Sequence, residues 1–262
     1  MKVATPISIR ILILLILFTL QGMAQVNKVP NLQKFDYAPY HFGFVLGMNQ
    51  MFFSVKPIQG IDTVWFPKSY IPDLEEADRA RIDSIASKYY PGFTIGIVSN
   101  LRLGEYFDLR LIPSLAFGER DLIYYTERNN RYTDPGLFFM DTINKKIFST
   151  LVEVPLHIKY KAMRLQNTRI YVLAGAKYTL DLAKESKKMK DSSTNKHVKL
   201  NKSDLLGEVG VGCDFYTAYF KFGIEIKMSY GFNDILERED NLYTDSIKEL
   251  RSKMFQLSFT FE

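Results

Sequence analysis

A pattern of alternating apolar and polar residues repeats eight times along the chain, and it constrains the fold more than any other feature of the sequence. Residues 219–232 carry the clearest copy, with one face made of Phe220, Phe222, Ile224, Ile226, Met228, Tyr230 and Phe232 and the other of Lys221, Gly223, Glu225, Lys227, Ser229 and Gly231. Side chains alternate across a β-strand, so this segment has one apolar face and one polar face. A soluble β-sandwich also alternates. A long aromatic face opposite charges in the middle of the strand nevertheless favours a transmembrane β-barrel.

The repeat predicts eight strands and the connections between them. The strands are expected at residues 41–53, 93–103, 107–118, 150–160, 169–180, 205–215, 219–232 and 255–261, with an irregularity at Pro113 because proline disrupts a strand ladder. Short links alternate with long ones, which is typical of outer-membrane barrels with short periplasmic turns and longer external loops. We therefore predict an all-β fold, an eight-stranded antiparallel transmembrane β-barrel with long extracellular loops. Closure removes every free strand edge, as lipid requires.

The first external loop, residues 56–91, is expected to bear a short helix. Its residues 73–89 read DLEEADRARIDSIASKY, with Asp73 placed to cap the helix and a weak apolar stripe along it. Such a helix would serve as a lid or docking surface, or would merely shorten the loop.

The beginning of the chain has the features of an export signal. Residues 1–24 combine the basic Lys2 and Arg10, an apolar run at 11–20 and small residues before the cleavage point after Ala24. A retained helical anchor is the alternative, but the apolar run is short for a bilayer-spanning helix. We expect a signal peptide, an outer-membrane location and a mature barrel domain at 25–262 that opens with a periplasmic lead-in at 25–40.

Charge and cysteine content exclude some functions. Without Lys2 and Arg10 the 34 basic residues fall to 32, against 29 acidic residues, and no basic stripe indicates a nucleic-acid partner. The basic run at 184–190 is expected to be a solvated loop. Cys213 is the single cysteine, so no internal disulfide can form.

The polar faces of the strands are expected to fill the barrel, because eight strands enclose an interior just wide enough for side chains. Unpaired charges there would be destabilising, so an ion-pair plug is expected and a conducting pore is disfavoured. A proton path or a ligand pocket is the alternative interpretation of these charges. The predicted inward charged residues are Arg102, Arg110, Glu153, His157, Lys159, Lys177, Glu208, Asp214, Lys221, Glu225 and Lys227.

Residues with catalytic or metal-binding spacing are scarce. His41, His157 and His197 lie in different segments, without His-x-His or His-Glu-x-x-His spacing. His157 and Glu153 share a predicted face, but no serine in a nucleophile context completes a catalytic set. We expect no catalytic, cofactor-binding or metal-binding residues, no cofactor and no enzymatic activity.

Several segments carry a resemblance to a known family. They are the signal end Met23-Ala24-Gln25, the run LVEVPLHIKY at 151–160, the run RIYVLAGAKY at 169–178 and the closing FQLSFTF at 255–261. On these segments the chain resembles the PorT family of outer-membrane β-barrels of Bacteroidota.

The resemblance implies a non-enzymatic accessory or assembly component of the type IX protein secretion system, with a link to gliding motility in some members. It implies outer-membrane lipid and other secretion-machinery components as partners, and it supplies no catalytic residues. The alternative is a generic small barrel with a porin-like, adhesion or envelope-integrity role, and a membrane-embedded hydrolase is the third hypothesis.

Overall fold

The structure of the protein, a computed structural model, describes residues 30–70, 79–129, 138–183, 198–239 and 241–262. Within these ranges, eleven strands form one antiparallel sheet: β1 (Tyr40–Pro57), β2 (Phe66–Pro67), β3 (Arg79–Tyr89), β4 (Pro91–Arg102), β5 (Phe107–Leu111), β6 (Ser114–Asn129), β7 (Phe138–Lys161), β8 (Thr168–Asp181), β9 (Ser203–Tyr216), β10 (Lys221–Gly231) and β11 (Ile247–Phe261). Short 3₁₀ helices cover Phe35–Tyr37, Ile61–Thr63 and Lys68–Tyr70, and a four-residue α-helix, α1, covers Leu242–Asp245. No helix in the described ranges is long and apolar enough to cross a bilayer.

The sheet closes on itself through β1. This strand pairs with β11 on one side, from Phe44 opposite Phe261, and with β4 on the other, from Tyr40 opposite Leu101. Strands β3 and β4 lie end to end along β6, strands β5 and β6 lie end to end along β7, and β2 is a short addition beside β3. The eleven described segments therefore occupy eight positions around the barrel, and the predicted all-β barrel is confirmed.

The break between β5 and β6 falls at Ile112 and Pro113, where the sequence predicts an irregularity. Pro113 has no N–H to donate to the ladder. Its carbonyl oxygen still accepts a hydrogen bond from the Ile97 N–H at 3.0 Å, so the neighbouring strands stay in register across the break.

The strands are longer than a bilayer requires. Strand β7 has 24 residues, whereas a membrane-spanning strand needs roughly 9–11. Short connections at 103–106, 162–167 and 217–220 join the strands at one end, and the extra length lies at the other. The strands predicted at 107–118 and 150–160 are correspondingly too short, because β6 runs to Asn129 and β7 begins at Phe138.

The helix predicted at residues 73–89 is wrong where the structure describes it. Residues 79–89 form β3, which pairs with β6 from Arg79 opposite Asn129 to Tyr89 opposite Arg120, and residues 73–78 lie outside the described ranges. The segment buries Ala80 and Ile82 on one face. Pairing with β6 and burial of this face outweigh the helix-favouring composition. The short α-helix lies instead at α1, where the side chain of Asn241 accepts a hydrogen bond from Thr244 N–H.

The polarity of the inward and outward side chains is reversed between the two halves of the barrel. In the half near the short connections, apolar side chains point outward and polar ones inward. Toward the long loops the inward side chains are apolar and form a buried cluster, the loop-end core: Phe53, Ile61, Phe66, Ala80, Ile82, Leu122, Tyr124, Ile147, Val198, Leu200, Ile235, Leu236, Leu242, Tyr243, Ile247 and Leu250. The first half is suited to lipid and the second to water.

The predicted signal peptide at 1–24, the basic run at 184–190 and His197 lie outside the described residues.

Candidate functional site: the charged lumen

The strand alternation places charged side chains inside the barrel at the level of its apolar outer band. Ten of the eleven predicted inward residues are buried, and Arg102 is the exception. Arg102 lies beside a short connection, where its Nε donates a hydrogen bond to the carbonyl oxygen of Gly104 at 3.0 Å. The alternation therefore predicts which charges enter the lumen, but it does not show where the lumen ends.

Glu208 is the centre of the first group of buried charges. Its carboxylate lies 2.9 Å from Lys177 Nζ, 3.0 Å from His157 Nε2 and 3.6 Å from Lys227 Nζ. It also accepts a hydrogen bond from the Ser229 hydroxyl at 2.5 Å. Lys177 reaches Glu153 on its other side at 3.2 Å.

Arg110 is the centre of the second group. Its guanidinium pairs with Glu225 and, through Nη2, with Glu262 Oε1 at 2.7 Å. Glu262 also accepts from Lys221 Nζ at 2.8 Å. The Tyr171 hydroxyl donates to Glu225 at 2.7 Å, so Tyr171 of β8 points into the lumen, whereas Tyr178 of the same strand is exposed.

The two groups join into one network. Lys227 lies between Glu208 and Glu225, 3.8 Å from the Glu225 carboxylate. Lys221 is 3.9 Å from Asp214, which in turn pairs with Lys159 at 2.7 Å. These bridges connect β7, β9 and β10, in addition to the backbone ladders.

A separate pair lies nearer the short connections. Lys161 Nζ contacts Asp108 Oδ1 at 2.6 Å, and the Asn100 side-chain amide donates to the same carboxylate at 3.0 Å. With this pair the ion-paired charges of these groups balance at six of each sign: Arg110, Lys159, Lys161, Lys177, Lys221 and Lys227 against Asp108, Glu153, Glu208, Asp214, Glu225 and Glu262. Balance matters because an uncompensated charge in a low-dielectric interior is strongly destabilising.

Three members of this set are absent from the predicted charges. Asp108 lies on the same inward face as Arg110. Lys161 and Glu262 each follow an inward residue, Lys159 and Thr260 respectively, by two positions and therefore also face inward. Continuing the inward–outward alternation by one residue beyond the predicted strand ends would have identified Lys161 and Glu262.

His157 and Glu153 do not form a pair. His157 faces Glu208, whereas Glu153 faces Lys177. Across the described ranges no three His, Cys, Asp or Glu side chains are grouped so that they could hold a metal ion.

The lumen is covered at both ends. The loop-end core lies over one end. At the other, the ring of Phe35 stacks on His41 at 3.9 Å between centroids, and Lys221 Nζ lies 4.9 Å from the Phe35 ring. The lumen charges are thus shielded from water on both sides.

Asp36 binds the lead-in before β1 to residues in and beside the short connections. Its carboxylate accepts hydrogen bonds from Arg169 Nη1 at 2.9 Å, the Tyr216 hydroxyl at 2.9 Å and Arg164 Nη1 at 3.3 Å. Burial alone would raise the pKa of the Asp36 carboxyl, but these three partners together hold that pKa below its ordinary value.

The sequence profile of the family described as "Outer membrane protein beta-barrel domain" matches residues 23–237. No curated protein sequence matches the chain. Among solved structures, Neisserial surface protein A is similar at 10% identity and a TM-score of 0.36, covering 85% of this chain and 98% of that one. The outer membrane protein OprG from Pseudomonas aeruginosa is similar at 13% identity and a TM-score of 0.31, covering 84% of this chain and 93% of that one.

Proposed function

Because the chain belongs to the family of outer membrane protein β-barrel domains, we propose that it is a non-conducting, non-enzymatic barrel acting as an accessory or assembly component of type IX protein secretion. The observation that carries the first part is the filled lumen with its balanced, interlinked charges. The resemblance of its strands to the PorT family supports the second part, including a link to gliding motility.

Transport through this lumen would require breaking the ion-pair network. Arg110, Glu225 and Glu262 have fully buried side chains, and Arg110 contacts both carboxylates across the barrel axis. Separating such pairs without new partners costs several kcal/mol per charge, in order of magnitude. A folded cargo is also far wider than an eight-stranded interior. The barrel would therefore support secretion from its surfaces and not as the channel.

Two surfaces are available for partner proteins. One is the long-loop end, where the packed side chains of the loop-end core hold the strands in place above the bilayer. The other is the short-turn end, where Asp36 holds the lead-in against Arg164 and Arg169. The first surface is held by buried contacts and the second by half-buried ones, which favours a scaffold with preformed binding faces.

Deleting the gene and measuring secretion of proteins with a C-terminal sorting domain tests the secretion role. Cargo should accumulate inside the deletion strain and return to the medium when the intact chain is restored. Normal secretion in the deletion strain would contradict the proposal and leave an envelope-integrity or adhesion role.

Planar-bilayer recordings test the closed lumen separately. The purified full chain should insert without stable single-channel steps, whereas a porin-like barrel would give them. Changing Glu208→Gln beside Lys177 and His157 should destabilise the plug, and any conductance it produced would show that the charges block the lumen.

The absence of catalysis is tested by His157→Gln and Glu153→Gln. Variants that fold should secrete cargo as the unchanged chain does. Loss of function at full folded yield would favour a membrane-embedded hydrolase.

A further inference from the structure

A group of polar and aromatic side chains lies on the outer face of the barrel where β10, β11 and β1 leave the apolar band. Lys253 on β11 stands directly opposite Tyr230 of β10 and Phe52 of β1 in the two strand registers. One step farther from the band, Arg251 stands opposite Ser54. These five residues are called the rim site below.

Lys253 is held over aromatic rings and has no carboxylate partner among the described residues. Its Nζ lies 5.3 Å from the centroid of Phe52 and 5.7 Å from that of Phe255. The rings support the stem of the lysine while its ammonium stays accessible. The charge of Lys253 is therefore left for an external partner.

The other polar groups of the rim site surround this ammonium. The Tyr230 hydroxyl donates to Ser54 Oγ at 3.5 Å, and Arg251 interacts with Tyr230 as well. Arg251 also donates to Glu249 Oε1 through both Nε, at 2.8 Å, and Nη2, on the side away from the apolar band. Glu249 offsets part of the guanidinium charge, and Lys253 gives the site its net positive charge.

The position of the rim site indicates its partner. Below Lys253 on the same face of β11 come only apolar side chains, namely Phe255, Leu257, Phe259 and Phe261. Phe52, Phe255 and Tyr89 form an aromatic group at this level, with centroids 5.6 and 5.9 Å apart. Aromatic girdles mark the boundary between hydrocarbon and headgroups, so the ammonium lies at headgroup depth.

We propose that Lys253 and Arg251, with the Ser54 hydroxyl that Tyr230 positions, bind the phosphate of an anionic lipid headgroup. Ammonium and guanidinium groups form short charge-assisted hydrogen bonds with phosphate oxygens, and the Ser54 hydroxyl supplies a neutral donor. The aromatic group would contact the first methylenes of the lipid chains. The proposal rests on the placement of the barrel in the membrane and not on a role in secretion.

Native mass spectrometry of the full chain, titrated with phosphatidylglycerol or phosphatidylcholine in neutral detergent, tests the site. The unchanged chain should retain phosphatidylglycerol in preference to phosphatidylcholine. Lys253→Gln should weaken phosphatidylglycerol retention about five-fold, the usual effect of one cation near an anionic surface, whereas Lys253→Arg should keep it.

Lys146→Gln is the matched control, because Lys146 also lies on the outer face but pairs with Glu119 at 3.8 Å. It removes the same charge and should leave retention unchanged. Equal retention of the two lipids, or equal losses in Lys146→Gln and Lys253→Gln, would overturn the proposal. Displacement of the lipid by millimolar inorganic phosphate would also overturn it, since the site would then select free phosphate. Heat-dependent gel mobility identifies folded protein in every variant, and secretion assays are not involved.

Discussion

Removing the Arg110 guanidinium should destabilise the folded barrel by about 3 kcal/mol, the lower part of the range for breaking a buried ion pair. Arg110→Met keeps a stem of similar shape but leaves Glu225 and Glu262 without their shared partner. The lower value applies because each carboxylate keeps another contact. Glu225 retains the Tyr171 hydroxyl at 2.7 Å, and Glu262 retains Lys221 at 2.8 Å.

The size of the effect follows from charge balance, and a second variant tests this reasoning. Arg110→Met leaves five cations facing six carboxylates, and adding Glu225→Gln restores equality at five of each. The double variant should therefore be more stable than the sum of the two single changes by roughly 1–3 kcal/mol. Lys146→Gln breaks only an exposed pair and should change stability by about 1 kcal/mol or less.

Urea unfolding of the chain in lipid vesicles measures these free energies, provided that the slope against urea stays constant between variants. A loss below about 1 kcal/mol for Arg110→Met would refute the reasoning, and so would strict additivity in the double variant. Either result would mean that water or the neighbouring cations already compensate the lumen charges.

Three further predictions concern other parts of the barrel. Because the folded pKa of Asp36 lies below its ordinary 3.8, its contacts should stabilise the lead-in above about pH 4 and be lost as the pH falls through the lowered pKa. Lower amide protection at 31–37 in acid, after correction for the intrinsic pH dependence of exchange, would show this, and Asp36→Asn should abolish the dependence. Leu242→Ala removes a fully buried side chain from the loop-end core and should cost about 2–5 kcal/mol, seen as faster amide exchange at 241–250; unchanged exchange there would contradict the packing described. Gly175→Ala should destabilise the barrel by about 1–3 kcal/mol, because a Cβ would clash with the Leu156 carbonyl oxygen. Its control is Gly104→Ala, where nothing lies within 4 Å, and equal effects of the two substitutions in urea unfolding would refute the steric argument.

The lumen was predictable from sequence because alternation and lipid act together on each strand. A charged residue such as Glu225 cannot face hydrocarbon, so Glu225 and every second residue from it must form the inward face of β10. What parity does not give is pairing across the barrel. His157 and Glu153 share a strand face, yet each meets a partner from another strand, Glu208 and Lys177 respectively.

The long-loop half was poorly predicted because its solvent is water. There the outward residues are polar and the inward ones apolar, so strands resemble ordinary amphipathic segments and a helix competes as an interpretation. In β3, the alanines and arginines favour a helix locally. The ladder to β6 and the burial of Ile82 come from parts of the chain far away in sequence, which local propensity does not reflect.

Strand β7 passes from water into lipid without interruption, so a single phase of alternation serves both environments. Deleting one residue near Thr150 would leave the part of the strand on one side of the deletion in register with its neighbours. In the other part, the inward and outward side chains would exchange faces. If the faces exchanged in the membrane-spanning part, Lys159 and Glu153 would point into hydrocarbon. If they exchanged in the part above the membrane, Ile147 would leave the loop-end core for solvent. Length changes in natural variants of this chain should therefore occur in the connections, or within a strand as two residues at a time.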